Sequence, residues 1–181
     1  TKNSGTSIGE IARAVGKDPW DVFFELAPTG AGAMPQAMSD ANKIKAMREE
    51  FTSFDTDAGP LDPSQTLVHP RGYGAFPRLL GRYVRDLGVL SLEGMIHRMS
   101  SVAPNEIGAY DRGKLAPGLV ADIVIFDAAT IRDRATFAEP TLASEGMRYV
   151  LVNGAVVLEE GKYNGAKPGR VIRGPGYRTT P

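Results

Sequence analysis

An aspartate in Thr56-Asp57-Ala58-Gly59, followed twelve residues later by His69-Pro70-Arg71-Gly72-Tyr73-Gly74-Ala75-Phe76-Pro77, gathers most of the polar chemistry of this chain. A carboxylate at Asp57 can take a proton from water and later return it to a leaving group, the work of a general base and then a general acid. The planar guanidinium of Arg71 matches a carboxylate through paired donors. His69 and Tyr73 add an imidazole and a phenol to the same stretch. Each residue also has a structural alternative. An aspartate near glycine often closes an Asx-turn. Arg71 could hold its loop through an ion pair, and Tyr73 could simply pack at the loop edge. His69, biased towards extended geometry by the proline after it, could orient the loop or touch a ligand. Asp55 competes with Asp57 for the catalytic role, and the spacing to Gly59 favours Asp57. His97, between Ile96 and Arg98, reads as a scaffold residue within a helix.

Such groups need elements to position them. Phe51-Thr52-Ser53-Phe54 is apolar and β-prone, so it is expected to be a short strand that delivers Asp57 into a glycine- and proline-rich active-site loop ending before Phe76. Three helices are expected before it. Ser7 and Glu10 form a capping box ahead of Ile8–Val15, with Gly16 as the stop. Asp18-Pro19 opens a second helix with Trp20, Phe23, Phe24 and Leu26 as its apolar face. Residues 28–32 form a flexible connection, and Ser39 caps a third helix to about Glu50, with Ile44 and Met47 at helical spacing.

After the loop, Phe76 to Leu87 is expected to be an amphipathic helix, with Leu79, Leu80, Tyr83, Val84 and Leu87 at helical spacing. Arg78, Arg82 and Arg85 point away as a solvated face, and Gly88 ends the helix. Further helices are expected from Ser91 to about Ser101 and from Pro104 to Tyr110. The helix–strand–loop–helix order suits the βα units of a barrel or a layered α/β fold. Near Gly113 the texture becomes β. Residues 121–127 and 148–152 read as strands, and Asn153-Gly154 is a hairpin turn into 155–158. A boundary is therefore placed at about residue 114, giving units 1–113 and 114–160 and a loop-like tail over 161–181. Asp111-Arg112-Gly113 reads as a salt-linked turn at that junction, and Asp122 and Asp127 as turn and edge residues.

Composition excludes more than it assigns. Lys+Arg and Asp+Glu are 21 each, so no net charge recruits nucleic acid or an anionic membrane. No apolar run approaches the roughly 20 residues of a membrane span. Without cysteine there is no disulfide, thiolate nucleophile or cysteine-ligated metal in the chain, which fits a reducing, cytoplasmic setting. A polar start at Thr1-Lys2-Asn3-Ser4 suggests that the sequence begins inside a longer protein.

The chain resembles the N-acyl-D-amino-acid deacylases (D-aminoacylases) of the amidohydrolase superfamily. The resemblance rests on Thr56-Asp57-Ala58-Gly59, on His69-Pro70-Arg71 with Tyr73-Gly74-x-Phe76-Pro77-Arg78, and on Asp111-Arg112-Gly113. It continues through Gly118-x-x-Ala121-Asp122-Ile123-Val124-Ile125-Phe126-Asp127, Arg134-Ala135-Thr136-Phe137, Gly146-x-x-x-Val150-x-Val152-Asn153-Gly154 and Gly165-x-x-Pro168-Gly169-Arg170-Val171. It implies an α/β fold: the C-terminal part of a metal-dependent (β/α)8 barrel, followed by strands of a small β-sandwich. It also implies hydrolysis of the amide bond of an N-acyl-D-amino acid. Asp57 would be the catalytic base and acid beside zinc, in reach of the metal as a ligand. Arg71, His69 and Tyr73 would lie on the substrate side. The family's His-x-His pair has no counterpart, since His69 and His97 are the only histidines. Most zinc ligands would then belong to a preceding N-terminal part of the barrel, and the chain alone would be inactive. Two rival readings remain: another amidohydrolase such as a cyclic amidase, and a non-catalytic subunit or interaction module that keeps this part of the fold.

Overall fold

Local capping signals decide where the first helices begin. The computed structural model describes residues 5–30, 32–35, 37–59, 68–174 and 176–178. Ser7 opens α1 (Ile8–Val15): its hydroxyl accepts from the Glu10 amide at 3.2 Å, and the Glu10 carboxylate accepts from the Ser7 amide at 2.9 Å. Gly16 ends the helix with φ 68°, a left-handed turn that glycine enters at no steric cost. Asp18 caps α2 (Pro19–Leu26) through the Trp20 amide. The expected apolar face of α2 is only partly covered: Phe23 and Leu26 are half-buried. Val22 is buried, while Trp20 and Phe24 are 68% and 66% exposed. The helix packs on α1, and the described residues leave Trp20 and Phe24 uncovered.

α3 (Asp40–Arg48) starts at the Ser39 cap and ends before the expected Glu50, where Glu49 turns to extended geometry. Ile44 and Met47 pack against the main core. The expected strand at Phe51–Phe54 does not form. Among the described residues none pairs with it, and the amide and hydroxyl of Thr52 bond back to the Glu49 and Ala46 carbonyls. That segment is the tail of α3. Ala31, residues 60–67 of the Asp57 loop, Lys2 to Ser4, and Pro175 and Pro181 of the tail lie outside the described residues.

The helix expected from Phe76 begins earlier, at Arg71, inside the segment expected to be loop. α4 (Arg71–Arg78) runs without a break into a π-wound stretch, Leu79–Asp86, where the Leu87 amide reaches the Arg82 carbonyl five residues back. Pro77 withholds one donor from the ladder, and the wider winding begins two residues after it. The later helices also merge. α5 (Leu92–His97), a π-wound stretch Arg98–Val102 and α6 (Ala103–Glu106) follow one another directly.

Four antiparallel strands form one meander in sequence order: β1 (Ile123–Phe126), β2 (Met147–Val152), β3 (Ala155–Glu159) and β4 (Lys162–Tyr163). Asn153 and Gly154, at φ 48° and 80°, make the left-handed two-residue turn that matches strand twist. Glu160 and Gly161 repeat it, so β4 occupies the start of a tail expected to be loop. The described residues hold this one sheet. No described helix is long and apolar enough to cross a membrane.

Leu79, Leu80, Tyr83, Val89 and Met95 form the core with Ile131, which comes from the long connection between β1 and β2. Phe126 and Met147 pack against the same cluster. Close approach to this connection requires glycine. A Cβ on Gly81 would lie 2.5 Å from the Ile131 carbonyl oxygen. Arg85 donates to that oxygen at 2.6 Å, and Arg78 pairs with Asp133 at 2.8 Å. The arginine face expected to be solvated is therefore partly an anchor for the β1–β2 connection.

Candidate active site

Asp57 leaves α3's tail in a left-handed conformation, φ 46°, a region that aspartate enters more readily than most side chains. Its carboxylate is largely exposed and faces the first residue of α4: Arg71 Nη2 lies 2.9 Å from Asp57 Oδ2. Asp55 is engaged differently. Its Oδ1 accepts from the adjacent Thr56 amide at 2.6 Å, a local turn contact. Of the two competing aspartates, Asp57 is the one that meets Arg71.

The start of α4 is built around His69. Pro70 has no N–H to offer, and the carbonyls of His69 and Pro70 accept from Gly72, Tyr73 and Gly74. The Arg71 amide donates to His69 Nδ1 at 3.0 Å. The imidazole stands edge-on to Phe137, ring centres 5.2 Å apart. Burial holds the His69 pKa below the usual histidine value, and the neighbouring Arg71 charge pushes it the same way. His69, Arg71 and Asp57 are thus brought together.

Tyr73 does not join them. Two residues along a helix turn it by about 200° from Arg71, and its carbonyl accepts from Ser144 Oγ at 2.9 Å on the β1–β2 connection. His97 is exposed on α5. Arg112 pairs with Asp111 at 3.2 Å and with Asp122 at 2.7 Å, while Asp122 accepts from the Asn153 amide and Ser101 donates to the Gly113 carbonyl. That network ties the helical run to the β2–β3 turn. Asp127 accepts from the Ala129 amide, and this bond, with one from Thr130, holds its carboxyl below the usual range.

Asp133 and Phe137 carry no role in the sequence reading, yet Asp133 lies against α4 and Phe137 stands against His69 just before it. The signal was the pair Gly74 and Gly81, one heptad apart on one helix face: a Cβ on Gly74 would lie 2.8 Å from the Asp133 Cβ. Among the described residues no three His, Cys, Asp or Glu side chains come together, and the charged neighbour of Asp57 is a cation. These residues do not fit a zinc site on their own.

Residues 7–158 match the model of the amidohydrolase family. The D-aminoacylase of Alcaligenes xylosoxydans xylosoxydans is 40% identical over 169 residues, 93% of this chain and 34% of that protein. Among solved structures, the N-acyl-D-glutamate deacylase of Bordetella bronchiseptica, complexed with zinc and a phosphonate mimic of the tetrahedral intermediate, superposes with a TM-score of 0.77. It shares 39% identity and covers 92% of this chain and 34% of that one. A D-aminoacylase studied for its binuclear metal centre gives a TM-score of 0.76 at 38% identity, covering 88% of this chain and 32% of its own. The chain spans about a third of the length of these relatives. With most of its length matched, and the Asp57–Arg71 contact inside the matched region, the chain belongs to the amidohydrolase family.

Proposed function

We propose that this chain carries the proton-transfer and carboxylate-binding part of a metal-dependent hydrolase that cleaves the amide bond of N-acyl-D-amino acids. The observation that carries it is the 2.9 Å contact between Asp57 and Arg71. In an N-acyl amino acid one carbon separates the leaving nitrogen from the α-carboxylate. A proton donor for that nitrogen and a cationic anchor for that carboxylate must therefore be neighbours. Asp57 and Arg71 meet this requirement, and the named relatives act on substrates of this kind.

In this reading Asp57 accepts a proton from the water whose oxygen bonds to the acyl carbon. The C–N bond then breaks, and Asp57 returns the proton to the departing nitrogen, giving a carboxylate and a free D-amino acid. Arg71 holds the α-carboxylate through paired donors. Zinc, present in a relative, finds no ligand set among the described residues, so we assign its ligands to polypeptide outside these 181 residues, with Asp57 at the edge of the metal site. The helical unit, 1–113, would be the end of a (β/α)8 barrel. The unit 114–160 would be one sheet of a small β-sandwich, and 161–181 a tail whose first residues form β4. We place the enzyme in the cytoplasm, consistent with a chain free of cysteine.

The test is Asp57→Asn in a polypeptide that includes the rest of the barrel. The amide keeps the shape and loses the proton acceptor, so kcat is expected to fall by roughly 10²–10⁴-fold with KM nearly unchanged. A crippling Asp55→Asn beside a harmless Asp57→Asn would overturn the assignment.

A further inference from the structure

We propose that His69 is a positioning residue for Arg71: its unprotonated Nδ1 holds the first amide of α4 and so fixes where the Arg71 guanidinium meets a carboxylate. This inference rests on the carboxylate-binding role given to Arg71 above. Helix starts leave N–H groups without intrahelical partners. Here the Arg71 amide is satisfied by the imidazole two residues earlier, at 3.0 Å. The arrangement mimics an Asx-turn, with ring nitrogen in place of a side-chain oxygen. A nitrogen that accepts this bond carries a lone pair, so the ring is neutral with its proton on Nε2.

Two features hold the ring in that role. One is the edge-on contact with Phe137, in a loop closed by Thr136, whose hydroxyl accepts from the Glu139 amide at 2.9 Å. The other is electrostatic. Burial disfavours the imidazolium, and the Arg71 charge beside the ring adds to the effect. The β1–β2 connection thus reaches the candidate substrate-binding arginine through an edge-on ring contact and one hydrogen bond. Protonation of His69 would remove the acceptor and set a second cation beside Arg71. Because the folded pKa lies below the unfolded value, the cap is complete above the ordinary histidine range and is lost as pH falls through the depressed value.

Two measurements test this. In the ¹⁵N-labelled chain carrying His97→Gln, His69 is expected to show an unprotonated Nδ1 and a proton on Nε2. It should titrate below a free histidine, and the Arg71 amide resonance should move with the same midpoint. A proton on Nδ1, or an Arg71 amide indifferent to the titration, would overturn the proposal. In the full-length hydrolase, His69→Ala should raise KM for an N-acyl-D-amino acid by roughly 2–10-fold with kcat retained. His69→Asn, which keeps an acceptor within reach, should restore it, and a substrate with an amidated α-carboxylate should be insensitive to both. Equal damage from Ala and Asn would count against positioning through this bond. The NMR experiment decides the capping role even in a protein that hydrolyses no N-acyl-D-amino acid, so the two readings fail separately.

Discussion

Replacing Gly81 by alanine tests the joint between α4's π-wound extension and the β1–β2 connection. In an open helix, Gly→Ala is stabilising by roughly 0.8–1 kcal/mol through backbone propensity. At Gly81 the added methyl would sit 2.5 Å from the Ile131 carbonyl oxygen, so an ordinary contact of 3.4 Å needs the connection to retreat by about 0.9 Å. That retreat pulls Ile131, 1% exposed, out of its place among Leu79, Leu80, Tyr83 and Met95. It also stretches the Arg85 bond to the same oxygen, now 2.6 Å. Overpacking costs about 1–3 kcal/mol, and a weakened charged hydrogen bond up to roughly 1.5–3 kcal/mol more. After the propensity gain the expected net loss is roughly 0–5 kcal/mol, larger the more the Arg85 bond is weakened. The assay is the urea midpoint of the purified chain, with Gly9→Ala as control: on α1 the nearest atom to its new methyl is the far end of Arg13, 3.9 Å away. Gly9→Ala should raise the midpoint and Gly81→Ala should lower it. If both raise it, close packing at Ile131 is not what the glycine serves.

Arg71→Lys in the full-length hydrolase keeps the charge and loses the paired donors, and should weaken carboxylate binding by roughly 1.5–3 kcal/mol, seen as a raised KM that vanishes for an amidated analogue. A fall in melting temperature with equal loss on both substrates would make Arg71 a loop anchor instead. The isolated chain, equilibrated with zinc and desalted, should retain well below one zinc per chain and hydrolyse no N-acyl-D-amino acid, since a catalytic zinc takes about three protein ligands. Stoichiometric zinc with activity would refute the assignment of its ligands to residues elsewhere.

Local signals were legible in the sequence. The Ser7–Glu10 box, the Gly16 stop and the Asn153-Gly154 turn depend on residues within a few positions of one another, and each appears where the sequence placed it. What depended on partners far along the chain was not legible. Phe51 to Phe54 has β-prone residues but no neighbouring strand to exchange hydrogen bonds with, and Thr52 bonds to α3 instead. Gly72 and Gly74 after Pro70 suggested a loop up to Ala75, yet Gly74 is a contact surface for Asp133 on a helix. Trp20 and Phe24 have the spacing of a buried face, whereas Val22 is the residue covered. At the site, residue types suggested Asp57 and Arg71 separately. Their direct contact, and the use of His69 as a helix cap, follow from how α4 begins and could not be counted from spacing.

Ile131 also sets an order of events during synthesis. Roughly fifty residues separate it from Leu80, and at about 5–20 residues per second a ribosome takes roughly 3–10 s to make them. For that interval Leu79, Leu80, Tyr83 and Met95 have emerged or are emerging without the side chain that completes their cluster. Helices form in microseconds or less, so the wait is for a packing partner and not for secondary structure. A nascent chain of this protein therefore presents an apolar helix face to the cell for seconds in each round of translation, in the window where a chaperone or an early aggregate would find it.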